Sequence, residues 1–196
     1  MELSSAEGSI AFVEDDEERF VAMFPNDRKH SGPFFENLQR CLEDAGPPEQ
    51  IVVGLGPGSY AGTRIAIATA TGLQAAMGSE LMGLPSLCAL PAATGDYVVI
   101  GDARRQSFWY AQVAGRRCIE GPTLCTRPEL ADRLAGAPSP IFASEPLLAF
   151  PNVPVLYPSA RILARSAPAS ADVRRAPLEP LYLREPHITQ AKAAQK

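Results

Sequence analysis

The amino-acid sequence predicts an α/β protein built from two related halves. Short apolar runs typical of strands alternate with longer segments of helical periodicity along its 196 residues. An acidic residue, a polar turn and a strand open the chain, and the same layout returns near its middle. Glu2 precedes Gly8 by the interval that separates Asp102 from Phe108. Such a repeat is typical of a duplicated fold, and it divides the chain into residues 1–95 and 96–196.

Composition limits the class of protein. A hydrophobic fraction of 46% and a charged fraction of 20% are those of a globular domain. No uncharged apolar run could span a bilayer and the first residues do not resemble a secretory signal, so we expect a cytoplasmic protein without membrane contact. The net charge of −4 argues against nucleic-acid binding by this chain alone. We expect reduced thiols at the widely spaced Cys41, Cys88, Cys118 and Cys125.

The first half begins with a predicted hairpin and a helix. The runs "GSIAFVED" and "ERFVAMF" read as two strands joined by the acidic residues 14–18. These acids fit a solvated turn better than a metal site, because no histidines or spaced carboxylates accompany them. The segment "SGPFFENLQRCLEDAG" predicts a helix that Ser31 caps, Pro33 suits in its first turn and Gly46 ends.

The remaining elements follow from shorter patterns. "IVVGLG" predicts a buried strand, and "LMGLPSLCALPAA" a short strand and a short helix. Residues 97–100 and 108–113 read as a strand pair, with Asp102 ending the first strand. Farther along, "RPELADRLAG" and "SARILARSA" are predicted helices, "SPIFASE" and "VPVLYP" short strands, and "QAKAAQK" a frayed tail.

The stretch "GLGPGSYAGTRIAIATATGLQ" has the general form of a phosphate-binding loop that runs into a helix. The Walker pattern needs a lysine followed by serine or threonine after its glycines, and this stretch has no lysine. The dinucleotide fingerprint fails as well, because Ser59 stands where its third glycine belongs. The sequence therefore predicts a tight strand-to-helix turn that holds no cofactor.

The helix after this turn has no charged residue between Arg64 and Glu80. A helix that is apolar or small on every side is normally covered on more than one side. It is either the central helix of a single core, or a helix that packs on its own sheet and also meets a partner. For the second alternative we expect it to lie beside the preceding helix. The candidate interface residues are Phe34, Leu38, Leu42, Ile67, Ala68, Ala70, Thr71 and Ala75.

At this turn the sequence resembles the signature of the bacterial TsaB (YeaZ) family. The matching residues are Gly56, Pro57, Gly58, Ser59, Tyr60, Gly62 and Arg64, with Ala61 where the family commonly has threonine. The segments "ELSSAEGSIAF", "KHSGPFFENL", "DARRQSFWYA" and "EPLYLRE" are similar to further family motifs, in the same order. The resemblance thus covers nearly the whole chain.

The resemblance implies an actin-like (ribonuclease H-like) fold of two related domains, each with a mixed sheet and packed helices. It implies a subunit without catalysis of its own in the synthesis of threonylcarbamoyladenosine, the modified base beside the anticodon of tRNA. Such a subunit forms a heterodimer with the transferase TsaD, and the ATPase TsaE joins them. We expect contact with tRNA only through the complex, and homodimer formation stays open. The family's old glycoprotease label implies no activity.

Two alternatives and one departure accompany this interpretation. A metalloprotease or a TsaD-like transferase needs paired histidines, whereas this chain has only His30 and His187, in unrelated contexts. A small actin-like kinase would use acids such as Glu2 and Asp102 around a metal–phosphate group, but a convincing phosphate loop is missing. The departure concerns the first strand. Met1 stands directly before the acidic turn, so we expect either an earlier start of translation or an incomplete central strand.

Overall fold

The computed structural model describes residues 1–26, 31–138, 140–166 and 173–184. Its first elements are β1 (Glu7–Glu14), β2 (Glu17–Pro25), α1 (Gly32–Ala45), β3 (Gln50–Gly54), α2 (Tyr60–Met77), β4 (Glu80–Leu84) and a short 3₁₀ helix (Ser86–Ala89). Then follow β5 (Tyr97–Arg104), β6 (Ser107–Ala114), β7 (Arg117–Thr126), α3 (Arg127–Ala135), β8 (Ile141–Ala143), α4 (Ala160–Ser166) and β9 (Arg174–Arg175). The predicted α/β class is confirmed.

Two small sheets of the first half are joined by the opening residues of the chain. β1 pairs with β2 in antiparallel fashion, whereas β3 and β4 are parallel. Between β1 and β3, Glu2 exchanges two backbone hydrogen bonds of 2.9 Å with Ser9. On its other side, the carbonyl of Met1 accepts from the Gly54 amide at 3.0 Å, and its ammonium donates to the Val52 carbonyl at 2.7 Å. The opening residues therefore act as a short central strand.

Both helices of the first half pack into one hydrophobic cluster. Phe34, Leu38 and Cys41 of α1 are buried in it together with Ala66 and Ala70 of α2. The residue before α1 is the predicted Ser31, although its side chain makes no capping hydrogen bond. α2 has a capped start and ends at a glycine in the left-handed conformation, Gly78 with φ of 75°.

The second half has one sheet in the order β7-β6-β5-β8, in which only the β5–β8 pair is parallel. Neighbouring residues of β5 point to opposite faces, as in any strand. Tyr97 and Val99 pack with Trp109 in one cluster, while Val98 and Ile100 pack with residues on the other face. α3 lies against β6 and β7 on that second face, where it buries Leu130.

The end of the described chain returns to the first half, which corrects the predicted boundaries. α4 packs on β1 and β3, the Ala160 amide donates to Ser9 Oγ at 2.9 Å, and β9 pairs with β4. The division at residue 96 places residues 160–166 and 174–175 in the second domain. In the structure they pack on the first half instead. Short-range patterns cannot show this return, because it depends on contacts about 150 residues apart.

Smaller differences between the prediction and the structure concern the strands. β7 and β9 were not predicted, β5 continues past Asp102 to Arg104, and the predicted strand "VPVLYP" is reduced to a single bridge between Val155 and Ala143. Within the described ranges, no helix has both the length and the apolar character needed to cross a membrane.

Candidate functional site

The signature turn lies directly against the backbone of the opening residues. The Ser59 amide donates to the carbonyl of Ser4 at 2.6 Å. A Cβ atom on Gly58 would lie 2.1 Å from the Ser4 carbonyl oxygen, and one on Gly62 would lie 2.0 Å from that of Leu3. Both distances are impossible for a real side chain, so these two glycines allow two backbone segments to touch. Packing alone accounts for the glycines.

Three amides around the start of α2 have hydrogen-bond partners within the protein. The Gly56 amide donates to Ser86 Oγ at 2.9 Å, and the Gly62 amide donates to Ser59 Oγ at 3.2 Å. The Thr63 amide donates to the carbonyl of Ser59 at 3.0 Å. A phosphate cradle uses free amides that point at the ligand, and the Gly56, Gly62 and Thr63 amides are not free in this way.

Aromatic and basic side chains gather where the signature meets solvent. The Tyr60 ring is half exposed, and its hydroxyl accepts a hydrogen bond from the Arg64 guanidinium. Tyr182, from the "EPLYLRE" motif, places its ring centroid 5.5 Å from that of Tyr60. The pKa of the Tyr182 hydroxyl is raised, mainly by partial desolvation and to a smaller extent by the hydrogen bond with Tyr60. Two motifs that are far apart in sequence therefore form one surface.

This surface borders a cleft of about 490 Å³ between the two halves. The first half contributes the opening turn and the signature turn to its walls, including Ser4 and Pro57. The second half contributes Asp102, Trp109 and Glu145. The segment 180–184 also lines the cleft.

The two acids that a kinase reaction would use do not meet in this cleft. Both oxygens of Asp102 accept hydrogen bonds from Arg104, one from its guanidinium at 2.8 Å and one from its amide at 2.7 Å. Glu2 is completely buried, and its Oε1 accepts from the Ser4 amide at 2.6 Å. Glu2 is not among the residues that line the cleft. The structure thus does not bring these two carboxylates together on a shared ligand.

The candidate interface residues divide into a buried and an accessible group. Phe34 and Ala70 are 2% and 0% exposed, because they fill the core between the helices and the sheet. Their assignment to a partner surface is therefore corrected. Leu38 is buried as well, although it lines a shallow surface depression on α1 together with the half-buried Leu42. Ile67 is half-buried, and the remaining three candidates, Ala68, Thr71 and Ala75, are exposed.

Sequence reasoning missed several accessible residues of the same kind. Phe35 is 47% exposed and lines the depression on α1. Gly72, Ala76 and Met77 are exposed on α2. The helical period of α1 contains part of the signal for Phe35, because adjacent residues of a helix point about 100° apart and Phe34 is already directed at the core. On α2 no such signal exists, since every face of the helix is apolar or small.

The two histidines of the chain, His30 and His187, were considered as metal ligands in the sequence analysis. Both lie outside the described residues. Among the residues that are described, no three histidine, cysteine or acidic side chains are grouped so that they could hold a metal ion.

Comparisons with known proteins identify the family. Residues 25–135 match the family described as TsaD, tRNA N6-adenosine threonylcarbamoyltransferase. An uncharacterized protein of Mycobacterium tuberculosis is 34% identical over 166 residues, which cover 81% of this chain and 77% of that protein. An uncharacterized protein of Mycobacterium leprae is 34% identical over 152 residues, or 76% of this chain, which spans only 40% of that relative's length.

Solved structures have the same fold. YeaZ from Pseudomonas aeruginosa superposes with a TM-score of 0.67 at 19% identity, covering 93% of this chain and 97% of that one. A second Pseudomonas aeruginosa structure, described as similar to peptidase YEAZ, has a TM-score of 0.73 at 21% identity over the same shares. The predicted ribonuclease H-like, actin-like fold is thereby confirmed. Together with the family match and the signature turn, these likenesses show that the chain belongs to the TsaB (YeaZ) family.

Proposed function

We propose that this protein is a non-catalytic subunit of the machinery that makes threonylcarbamoyladenosine in tRNA, and that it binds and supports TsaD. The pathway is supported by the family match over residues 25–135, since that family is named for a tRNA threonylcarbamoyltransferase. The role as a binding subunit rests on the surface of the first half, and the absence of catalysis rests on the geometry of the signature turn and cleft.

The observation that carries the proposal is the exposed face of α2. It combines small, uncharged residues over about two turns: Ala68, Thr71, Gly72, Ala75 and Ala76. The hydroxyl of Thr71 donates to the Ile67 carbonyl at 2.8 Å, so it is already satisfied and leaves a methyl group outward. A helix with such a face lets another helix approach closely, and a partner loses little hydration by covering it.

The depression on α1 extends this argument. Phe35, Leu38 and Leu42 line it, with Gln39 and Glu43 at its edge. Exposed apolar surface surrounded by polar residues is typical of a protein–protein contact. Because α1 and α2 pack into one cluster, we propose that both helices contribute to the surface that TsaD covers.

The site geometry favours a subunit without chemistry of its own. The Gly56 and Gly62 amides of the signature turn are engaged within the protein, and Arg104 forms an ion pair with Asp102. We propose that TsaE joins the pair of TsaB and TsaD, and that tRNA is reached only through the assembled complex. The same apolar surface would allow two copies to pair when TsaD is absent.

Reconstitution tests this function. TsaC, TsaD and TsaE from the same organism should modify tRNA only when this protein is added, and it should co-purify with TsaD. The isolated protein should neither hydrolyse ATP nor cleave peptides. Full modification without it would refute the proposal. ATP turnover by the isolated chain that Asp102→Ala abolishes would instead support the kinase alternative.

A further inference from the structure

The segment 178–184, which we call the strap, crosses the cleft and contacts both halves of the protein. At its first end, Leu178 packs against the hydrophobic cluster of the first half. At its other end, Leu183 packs against the cluster that contains Trp109, in which residues 97–113 of the second half meet residues 87–92. Residues five apart span at most about 17 Å when fully extended. The two halves therefore cannot separate far while both leucines stay in place.

Hydrogen bonds and one aromatic contact hold the strap on each side of the cleft. The Leu181 amide donates to the Leu55 carbonyl at 2.8 Å, and Tyr182 packs on Tyr60. These contacts belong to the first half. On the second half, the Arg184 guanidinium donates to Ser107 Oγ at 2.7 Å.

The contacts are unequal on the two sides. The first half holds the half-buried Leu178, a backbone hydrogen bond and an aromatic contact, whereas the second half holds the equally half-buried Leu183 and the exposed Arg184. We propose that the strap is a clasp that keeps the cleft closed, and that the cleft opens when the Leu183–Arg184 end leaves the second half. The strap is thus a conformational element, in addition to any role of α1 and α2 in binding a partner.

Hydrogen exchange of backbone amides on the two walls of the cleft tests the clasp. The amides of Ser59 and Thr63 report on the first-half wall, and those of Asp102 and Arg104 report on the second, because each makes a hydrogen bond. In the double variant Leu183→Ala, Arg184→Ala, the amides of both walls should exchange about tenfold faster, while those of α3 keep their rates. The single variant Arg184→Ala, which changes an exposed side chain, should show a smaller shift of the same pattern.

Arg133→Ala is the matched control, because it also removes one side-chain hydrogen bond of an exposed arginine, to Glu120 at 2.6 Å, away from the strap. It should leave both walls unchanged. Faster exchange confined to the second-half wall would mean local fraying and would overturn the clasp. So would unchanged rates in both strap variants, or an equal acceleration that includes α3.

Discussion

Gly62 and Gly72 lie in the same helix and have opposite surroundings. At Gly62 a Cβ would meet the Leu3 carbonyl at 2.0 Å, whereas nothing lies within 4 Å of a Cβ at Gly72. The first glycine is required by a backbone contact that joins the signature turn to the opening residues. The second only lowers the helix propensity of its position.

We therefore predict opposite effects for two identical substitutions in α2. Gly62→Ala should lower the free energy of unfolding by about 3 kcal/mol, because the methyl group displaces a backbone carbonyl. Gly72→Ala should raise it by about 0.5–1 kcal/mol through helix propensity. Urea denaturation measures both. Equal effects of the two substitutions would contradict the packing role of Gly62.

The buried ammonium of Met1 gives a pH dependence in a chain that begins at this residue. Burial, only partly offset by the nearby Glu2, lowers the pKa of this group from 8.0 to about 6. Between these values the unfolded chain binds more protons than the folded one, so stability rises with pH there. Below about pH 6 both states are protonated and this contribution becomes constant.

The free energy of unfolding should thus fall by about 2 kcal/mol as the pH is lowered from 8 to 6. Denaturation at a series of pH values measures this change. The background His30→Gln, His187→Gln removes both histidines of the chain, because a histidine side chain ordinarily has a pKa of about 6.5. A stability that stays constant or rises between pH 8 and 6 would contradict the assignment to Met1.

At the scale of elements, α4 shows how a late segment supports the first half. Leu163 is completely buried and packs with Leu84 and Ala89, next to the end of β4. Its neighbours Arg161 and Arg165 both form ion pairs with Glu18 of β2. The first half therefore depends on residues about 80 positions after its last helix.

Leu163→Ala should destabilise the protein by about 2–5 kcal/mol, because it leaves a cavity in a closed cluster. Leu148→Ala is the matched control, since this leucine is 100% exposed and its truncation should change stability by less than about 0.5 kcal/mol. Thermal or urea unfolding distinguishes the two. A small effect at Leu163 would mean that α4 only rests on the surface.

The elements that could be predicted from sequence are those with strong local signals. α2 has a serine cap and a terminal glycine, and the hairpin strands alternate around an acidic turn. β7 escaped prediction because it is an edge strand with mostly exposed residues and carries Gly121 and Pro122 inside it. β9 has two residues and exists only through pairing with β4. Neither leaves a periodic pattern.

The candidate site was predictable only in part. The signature turn and the lack of charge on α2 could be read from the residues, but the division between core and surface could not. Ala70 and Ala68 have similar neighbours along the sequence. In the structure Ala70 is completely buried, whereas Ala68 is exposed. The sheet below the helix decides this, and its position depends on contacts between distant strands.

At the scale of the whole molecule, two late segments add to the contacts that hold the halves together. The returning segment places α4 and β9 on the first half, and the strap then crosses back over the cleft. Several polar groups of the cleft walls, such as the Ser59 amide and the Asp102 carboxylate, make hydrogen bonds within the protein, while the exposed face of α2 has no charge. This distribution of satisfied and apolar surfaces favours a protein that acts by binding another protein.

The most direct test of this account measures TsaD binding by variants of the exposed α2 face. Arginine at Ala68, Thr71 or Ala75 should leave the circular dichroism spectrum unchanged, because these positions face solvent. It should weaken binding to TsaD by at least about 100-fold, since a charge would be buried without a partner. Ala131→Arg, on the exposed face of α3, is the control and should bind normally. If the three α2 variants fold and bind TsaD with the affinity of the unmodified protein, the central claim is contradicted.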